Sequence, residues 1–419
     1  MAREKVLFIT QHYWPELIGS GPYCTDIATW LRAHDYPVDV FTCRPNYPEG
    51  VVTPAYQYGQ RDREEYRDVD IFRVGTWMPR KRGAAARMFA EFTFLARGLW
   101  SLLTGRLTRS DLVISLCPSI LAVLLGVFAT RRHGRHVAIV HDIQSGLAAG
   151  LGMVQAAGPL VRAIRELERI VLNKVDVVLV PSDSMRRHLR DLNIKCQIEV
   201  LPLWVDLNEI KPFARPGGST ITALYSGNFG RKQSLDQILD MAALLAKRDP
   251  NIVVFLRGEG SETKTLTETV AERGLRNVRF APLVSAEHLA RGLSEGDIHL
   301  VPQNGNVADF AVPSKIFTIM AAGRPFVAAA KAGSLLWKLR DESEAFLCVP
   351  AGDVNALADA VERLAQDSEL REELSSNGRQ YAVLHHDKEI ILERLRAILL
   401  YDRPQRIGHA KRAPASSDL

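Results

Sequence analysis

Thr222-Ala-Leu-Tyr-Ser-Gly-Asn-Phe-Gly-Arg-Lys-Gln-Ser-Leu235 is the stretch whose reading decides the fold. An apolar run, Thr222–Tyr225, breaks into Gly227 and Gly230, two cations follow at Arg231 and Lys232, and a helical pattern begins at Leu235. A strand, a glycine-bearing turn and a helix start make the unit of an open parallel sheet, in which ligands lie beyond the carboxyl ends of the strands. The glycines free the backbone for close approach, and the cations with the helix's free N–H groups suit a diphosphate. A solvated basic turn is the plain alternative.

The same alternation runs outward in both directions. Downstream, strands are expected at Val253–Leu256, Val278–Phe280, Ile298–Val301, Phe326–Ala329 and Phe346–Val349. Upstream they are expected at Val6–Ile9, Val38–Thr42, Ile71–Val74, Leu112–Leu116, Val137–Val140 and Val177–Val180. Between the two series Pro202, Pro212, Pro216, Gly217 and Gly218 interrupt Leu201–Thr220, the composition of a linker. Helices follow at Ala356–Leu364, Glu369–Leu374 and Glu389–Leu399. The expectation is an α/β chain of two Rossmann-like, doubly wound parallel-sheet domains, residues 1–204 and 205–385, facing a central cleft. A helix at 386–401 packs back toward the first domain, and 402–419 form a mobile tail.

Composition bounds the rest. At 419 residues the chain exceeds one ordinary core, and 47% hydrophobic with 24% charged residues is ordinary globular usage. No apolar run approaches the ~20 residues that span a bilayer. Val6–Ile9 is too short for the apolar core of a signal peptide, so the expectation is a cytoplasmic chain. Its five cysteines are scattered and never form Cys-x-x-Cys, which argues against a disulfide framework and a zinc site. The net charge of +5 is too mild to name a partner by itself.

Other loops carry chemistry. Gly19, Ser20 and Gly21 lie between the first strand and its helix, where exposed N–H groups suit a phosphate, although a Gly-x-Gly-x-x-Gly fingerprint is absent. His141 ends the strand Val137–Val140, placed either to bond a sugar hydroxyl or to serve as a satisfied structural histidine. Glu259 sits in Gly258-Glu-Gly260. Pro313 and Ser314 start a helix that aims Ser314, Lys315 and free N–H groups at an anion, or merely caps a core helix. Lys315 opposes the helix dipole there and so needs another reason for its place.

With these residues collected, the chain resembles the family-4 retaining glycosyltransferases of the GT-B fold, most nearly the colanic-acid and O-antigen branch. The likeness rests on Tyr13-x-Pro-Glu-x-x-Gly-x-Gly-Pro-Tyr23, Arg44-Pro-Asn-Tyr-Pro-Glu-Gly50, Leu203-Trp-Val-Asp206, Tyr225-Ser-Gly-Asn-Phe-Gly-x-Lys-Gln233 and Val312-Pro-Ser-Lys-Ile-x-x-x-Met-Ala-Ala-Gly-Arg-Pro325. It implies that the second domain grips a UDP- or GDP-sugar and the first presents a lipid-linked or polysaccharide acceptor. By position, Gly227, Asn228 and Lys232 bind the diphosphate with Lys315 assisting, and Arg231 is adjacent. Glu259 lies under the base or ribose. The glycine loop falls on Gly19–Gly21 and the cleft histidine on His141, so that His141, Lys232 and Lys315 carry the catalytic roles. One departure stands out: the family's two glutamates, separated by seven residues, fall on Phe310 and Thr318. Asp309 sits one residue before the first position, and Thr318 retains a hydroxyl for the ribose.

The resemblance further implies retention at the anomeric carbon without a metal or other cofactor, the departing phosphate helping to deprotonate the acceptor. Arg80-Lys-Arg82, Arg87, Arg97, Arg106 and Arg109 flank Met88–Ala96 and Leu99–Leu103, an amphipathic basic stretch over 80–109 suited to an anionic membrane surface. A crossover helix with a solvated basic end reads the same way, whereas nucleic acid calls for aromatics on a stacking sheet. Peripheral placement at the inner face of the cytoplasmic membrane follows from the first reading. A sugar-nucleotide 2-epimerase shares this fold but needs several acid–base groups in a cleft that here is poor in them. A nucleotide-sugar-binding partner without activity is the third reading, motivated by Phe310 and Thr318.

Overall fold

The structure, a computed structural model, describes residues 4–16, 19–46, 51–77, 84–117, 119–145, 158–214, 220–306 and 312–400, with backbone alone at 84–87, 160 and 232. Asp309 and Phe310, the cluster 80–82 and the tail 402–419 lie outside the described residues. So do the side chains of Arg87 and Lys232.

Eight strands form the first sheet, in the order β3-β4-β2-β1-β5-β6-β7-β8. They are β1 (Val6–Ile9), β2 (Val38–Cys43), β3 (Arg63–Tyr66), β4 (Val69–Val74), β5 (Ser110–Cys117), β6 (Thr130–Val140), β7 (Val177–Val180) and β8 (Gln197–Val200). All pairs are parallel except β3 with β4. Side chains alternate across it. Val6 and Phe8 face α1 (Gly21–Ala33), while Leu7 and Ile9 face the opposite layer of α2 (Ala84–Leu103) and α3 (Ile120–Ala129). That layer continues with α4 (Pro159–Leu172) and α5 (Asp183–Asp191).

The second sheet has the order β11-β10-β9-β12-β13-β14 and is parallel throughout. Its strands are β9 (Ile221–Ser226), β10 (Ile252–Arg257), β11 (Val278–Ala281), β12 (Ile298–Pro302), β13 (Phe326–Ala330) and β14 (Leu347–Pro350). Helices α6 (Asp236–Arg248), α7 (Thr263–Glu272), α8 (Leu289–Leu293), α9 (Lys315–Ala321), α10 (Leu335–Ser343) and α11 (Val354–Gln366) cover its two faces. Two more helices close the chain, α12 (Ser368–His385) and α13 (Lys388–Leu400). The buried residues Ile391, Leu392, Leu395 and Leu399 of α13 enter the core of the first half beside α1.

The expected alternation of strands is present, and the fold is the two-sheet α/β class read from it. Two edge strands escaped that reading. β3 is Arg-Glu-Glu-Tyr, with no apolar run because it lies outermost on an antiparallel edge, and β8 buries little of Gln197-Ile-Glu-Val200. The helix expected to stop at Leu374 runs on to His385. Ser375, Asn377 and Gly378 look like breakers, but Gly378 is where α12 packs on α9 and on the segment just after α10, an added Cβ there lying 3.4 Å from Met320 and from Ala345. Tertiary contact overrides local propensity there.

Candidate active site

The order of the second sheet reverses between β9 and β12, so the crevice between their carboxyl ends is the place for a ligand. Two glycine loops meet at its floor. Gly227, at φ +146°, donates from its N–H to the Arg257 carbonyl at 2.9 Å, and Phe229 N–H donates to the Glu259 carbonyl at 2.8 Å. Neither loop tolerates side chains at the contact: a Cβ on Gly258 would lie 1.8 Å from the Gly227 carbonyl oxygen, and one on Gly260 2.4 Å from Asn228 Oδ1. The backbone is thus held open toward the crevice by interlocked turns.

Lys315, the first residue of α9, crosses this floor. Its Nζ stands 2.9 Å from the point a Gly227 Cβ would occupy and 3.6 Å from the centre of the Tyr225 ring. The residue is half-buried, but its ammonium nitrogen is cut off from solvent and has no hydrogen-bond partner among the described residues. Burial pulls its pKa down to about 7. Among the described residues this buried cation has a ring face against it and no anion of the kind that normally accompanies one.

Of the sequence candidates, Gly227, Asn228 and Lys315 come together here, with Glu259 exposed on the adjoining turn. Ser314 precedes Lys315, and Thr318 is half-buried one turn farther along α9. The Arg231 side chain is 74% exposed and leans to Glu262, its Nε 3.6 Å from Oε1, rather than into the crevice. Lys232 contributes its backbone to the 3-10 turn Arg231–Gln233. Tyr225 was read as a strand residue, and its partnership with Lys315 is tertiary. Its hydroxyl donates to the Asn228 carbonyl at 2.7 Å and so props the loop as well.

Across the crevice, the first sheet reverses between β1 and β5. Gly19, at φ +72°, Ser20 and Gly21 lead into α1, and an added Cβ on Gly21 would meet the Glu16 carbonyl at 2.8 Å. His141 follows β6, and burial holds its imidazole down to about 4 against the raising effect of Asp142, so near pH 7 it is a neutral hydrogen-bonding group. Its ring meets Tyr23 edge-on at 5.4 Å. A second network lies alongside: Ser119 Oγ and Gln144 Nε2 donate to the buried Glu91 carboxylate at 3.0 and 2.9 Å. Ser145 does so to Glu168, fixing the start of the loop after His141.

Comparison with known proteins bears on this geometry. A model described as glycosyl transferase 4-like domain matches residues 19–204, and one described as glycosyl transferases group 1 matches residues 208–381. The chain is 28% identical over 407 residues to WcaI of Escherichia coli strain K12, named as a colanic acid biosynthesis glycosyl transferase, covering 93% of this chain and 98% of that one. Among solved structures, sucrose-phosphate synthase of Thermosynechococcus elongatus superposes with a TM-score of 0.74 at 21% identity over 94% of this chain and 98% of that chain. Anabaena HepE in complex with UDP-glucose does so at 0.69 and 15% over 95% of this chain and 99% of that chain. With both domains matched in order and the crevice built at the two sheet reversals, the chain belongs to the glycosyltransferases of the GT-B fold.

Proposed function

We propose that the enzyme moves a sugar, with retention, from a UDP- or GDP-sugar to a lipid-linked or polysaccharide acceptor in the building of cell-surface polysaccharide. The observation that carries the donor side is the Lys315 ammonium, buried over Tyr225 and against Gly227 without a hydrogen-bond partner among the described residues. A diphosphate laid along Gly227, Asn228 and the turn holding Lys232 supplies its missing counter-charge. As the bond to the anomeric carbon breaks, charge develops on that diphosphate, and a preplaced ammonium with backbone N–H groups stabilises it without a required metal. Ser314 joins this cradle, Arg231 stands at its rim, and Glu259, Thr318 and Asp309 serve the nucleoside. Gly19–Gly21 and a neutral His141 orient the acceptor hydroxyl and the transferred sugar from the other side. The WcaI name and the UDP-glucose bound in HepE favour this choice of donor and product class.

The acceptor's setting is argued from α2. Phe89, Phe92, Trp100 and Leu103 are exposed along it, and Trp77 stacks edge-on against Phe89 at 4.5 Å. Arg97 on the helix and Arg106 and Arg109 just after it are exposed as well. The excess of Lys and Arg over Asp and Glu also lies in residues 1–204. No helix among the described residues is long and apolar enough to cross a membrane. We therefore place this face on an anionic lipid surface, within reach of a lipid-linked acceptor.

The test is a screen of UDP- and GDP-sugars with lipid-linked and polysaccharide acceptors, with product analysis. Transfer with retained anomeric configuration is expected, persisting in EDTA and lost in Lys232→Ala and Lys315→Ala proteins that still fold. Formation of an epimer without acceptor, or no turnover of any donor, would overturn the reading.

A further inference from the structure

Helix α1 is shared between the two halves. Tyr23, Asp26 and Trp30 recur at three- and four-residue spacing along one face. The Tyr23 ring stands edge-on to Trp204 at 4.9 Å as well as to His141. Asp26 accepts hydrogen bonds from Trp204 Nε1 at 2.9 Å and from Lys388 Nζ at 3.2 Å, and Lys388 also donates to Asp206 at 2.6 Å. Trp30 Nε1 donates to Glu389 at 2.6 Å.

Beside these side chains the backbone crosses between halves twice. The outbound and returning segments run together: Val205 N–H donates to the His386 carbonyl at 2.8 Å, and Lys388 N–H to the Val205 carbonyl at 3.1 Å. Two adjacent crossings define an axis and leave rotation about it to be fixed by contacts elsewhere. Tyr23 supplies one. Its ring packs on the core around α9, and its hydroxyl lies beside that of Ser314, the residue before Lys315. The other end of the linkage is the loop Gly19–Gly21, which runs directly into the same helix.

We propose that Tyr23 and Asp26 are positioning residues for the transfer, holding the glycine loop and His141 in register with Lys315 across the crevice. Naming the reaction rests on the function proposed above; the mechanical part does not. Group transfer needs reacting atoms within about 3–3.5 Å of one another, and a misplacement of about 1 Å costs on the order of a hundredfold. Neither residue needs to touch substrate to have that effect.

The test uses the full chain as wild type, Tyr23→Phe, Asp26→Asn and the double variant. Three readouts are taken: small-angle X-ray scattering, titration with UDP and GDP, and turnover of the donor found in the screen. The expected result is a broader scattering envelope and turnover down about tenfold or more, with nucleotide affinity within about twofold of wild type and the melting temperature retained. The double variant is expected to lose less than the product of the single losses, because both act on one register. Unchanged turnover overturns the proposal, as does nucleotide affinity falling in step with turnover, which marks a general structural defect. If the wild type transfers nothing, the functional reading has failed and scattering alone decides: identical profiles in all four proteins overturn the positioning role.

Discussion

Lys315 shows how one residue ties sequence to chemistry. Its place in the first turn of a helix, where the dipole disfavours a cation, already asks for an anion, and the structure adds burial without a partner among the described residues. With its pKa pulled down to about 7, the free ammonium is fully formed only below that pH. A bound diphosphate favours the charged form and raises the pKa, so above pH 7 binding takes up a proton and affinity falls as pH rises. Titration calorimetry of UDP and GDP in two buffers of different ionisation enthalpy at pH 8 reads this directly. Proton uptake is expected in the wild type and is lost in Lys315→Met, together with roughly tenfold or more of the affinity. Gly227, Asn228 and Lys315 were legible in sequence because backbone freedom and charge placement are local properties. The Tyr225 and Tyr23 contacts were not, since a ring in a strand and a ring in a helix both read as core until the elements meet.

Among the elements, α2 separates two physical roles. Its inner face is fixed by packing: Phe94 and Leu95 are buried, and Gly98 lets Leu125 of α3 approach to 2.2 Å of where a Cβ would lie. Its outer face leaves Phe92 and Trp100 about 60% exposed, at 58% and 61%, on a helix that also carries the exposed Arg97. Solvent exposure on that scale makes them expendable for stability, and an anionic lipid surface gives them a use. Phe92→Ser and Trp100→Ser together are expected to keep the melting temperature within a few degrees and to cut co-sedimentation with phosphatidylglycerol vesicles severalfold; equal sedimentation removes α2 from the membrane role. The continuous apolar run that marks these strands is strong where both faces of a sheet are covered and fades at its margins. Hence the central strands were readable and β3 and β8 were not. The length of α12 was hidden for the complementary reason, because Gly378 is kept helical by the neighbours it touches.

On the scale of the whole molecule, chain order and core membership disagree. The first sheet is finished by β8, yet the layer over one of its faces is completed almost two hundred residues later by α13. Leu392 and Leu395 are fully buried there, against a core that includes Ile27 and Leu31 of α1. Truncating either to Ala removes buried methyl groups and leaves a cavity, at a cost of about 2–5 kcal/mol. The first half therefore depends on the last helix for its stability, and α13 is anchored at its start by Lys388 between Asp26 and Asp206. Leu395→Ala is expected to lower the melting temperature by several degrees. Under limited proteolysis it is expected to speed cleavage within residues 1–204, although the substitution lies near the carboxyl terminus. Faster cleavage confined to 221–385 would place α13 with the second sheet instead and remove it from the first core.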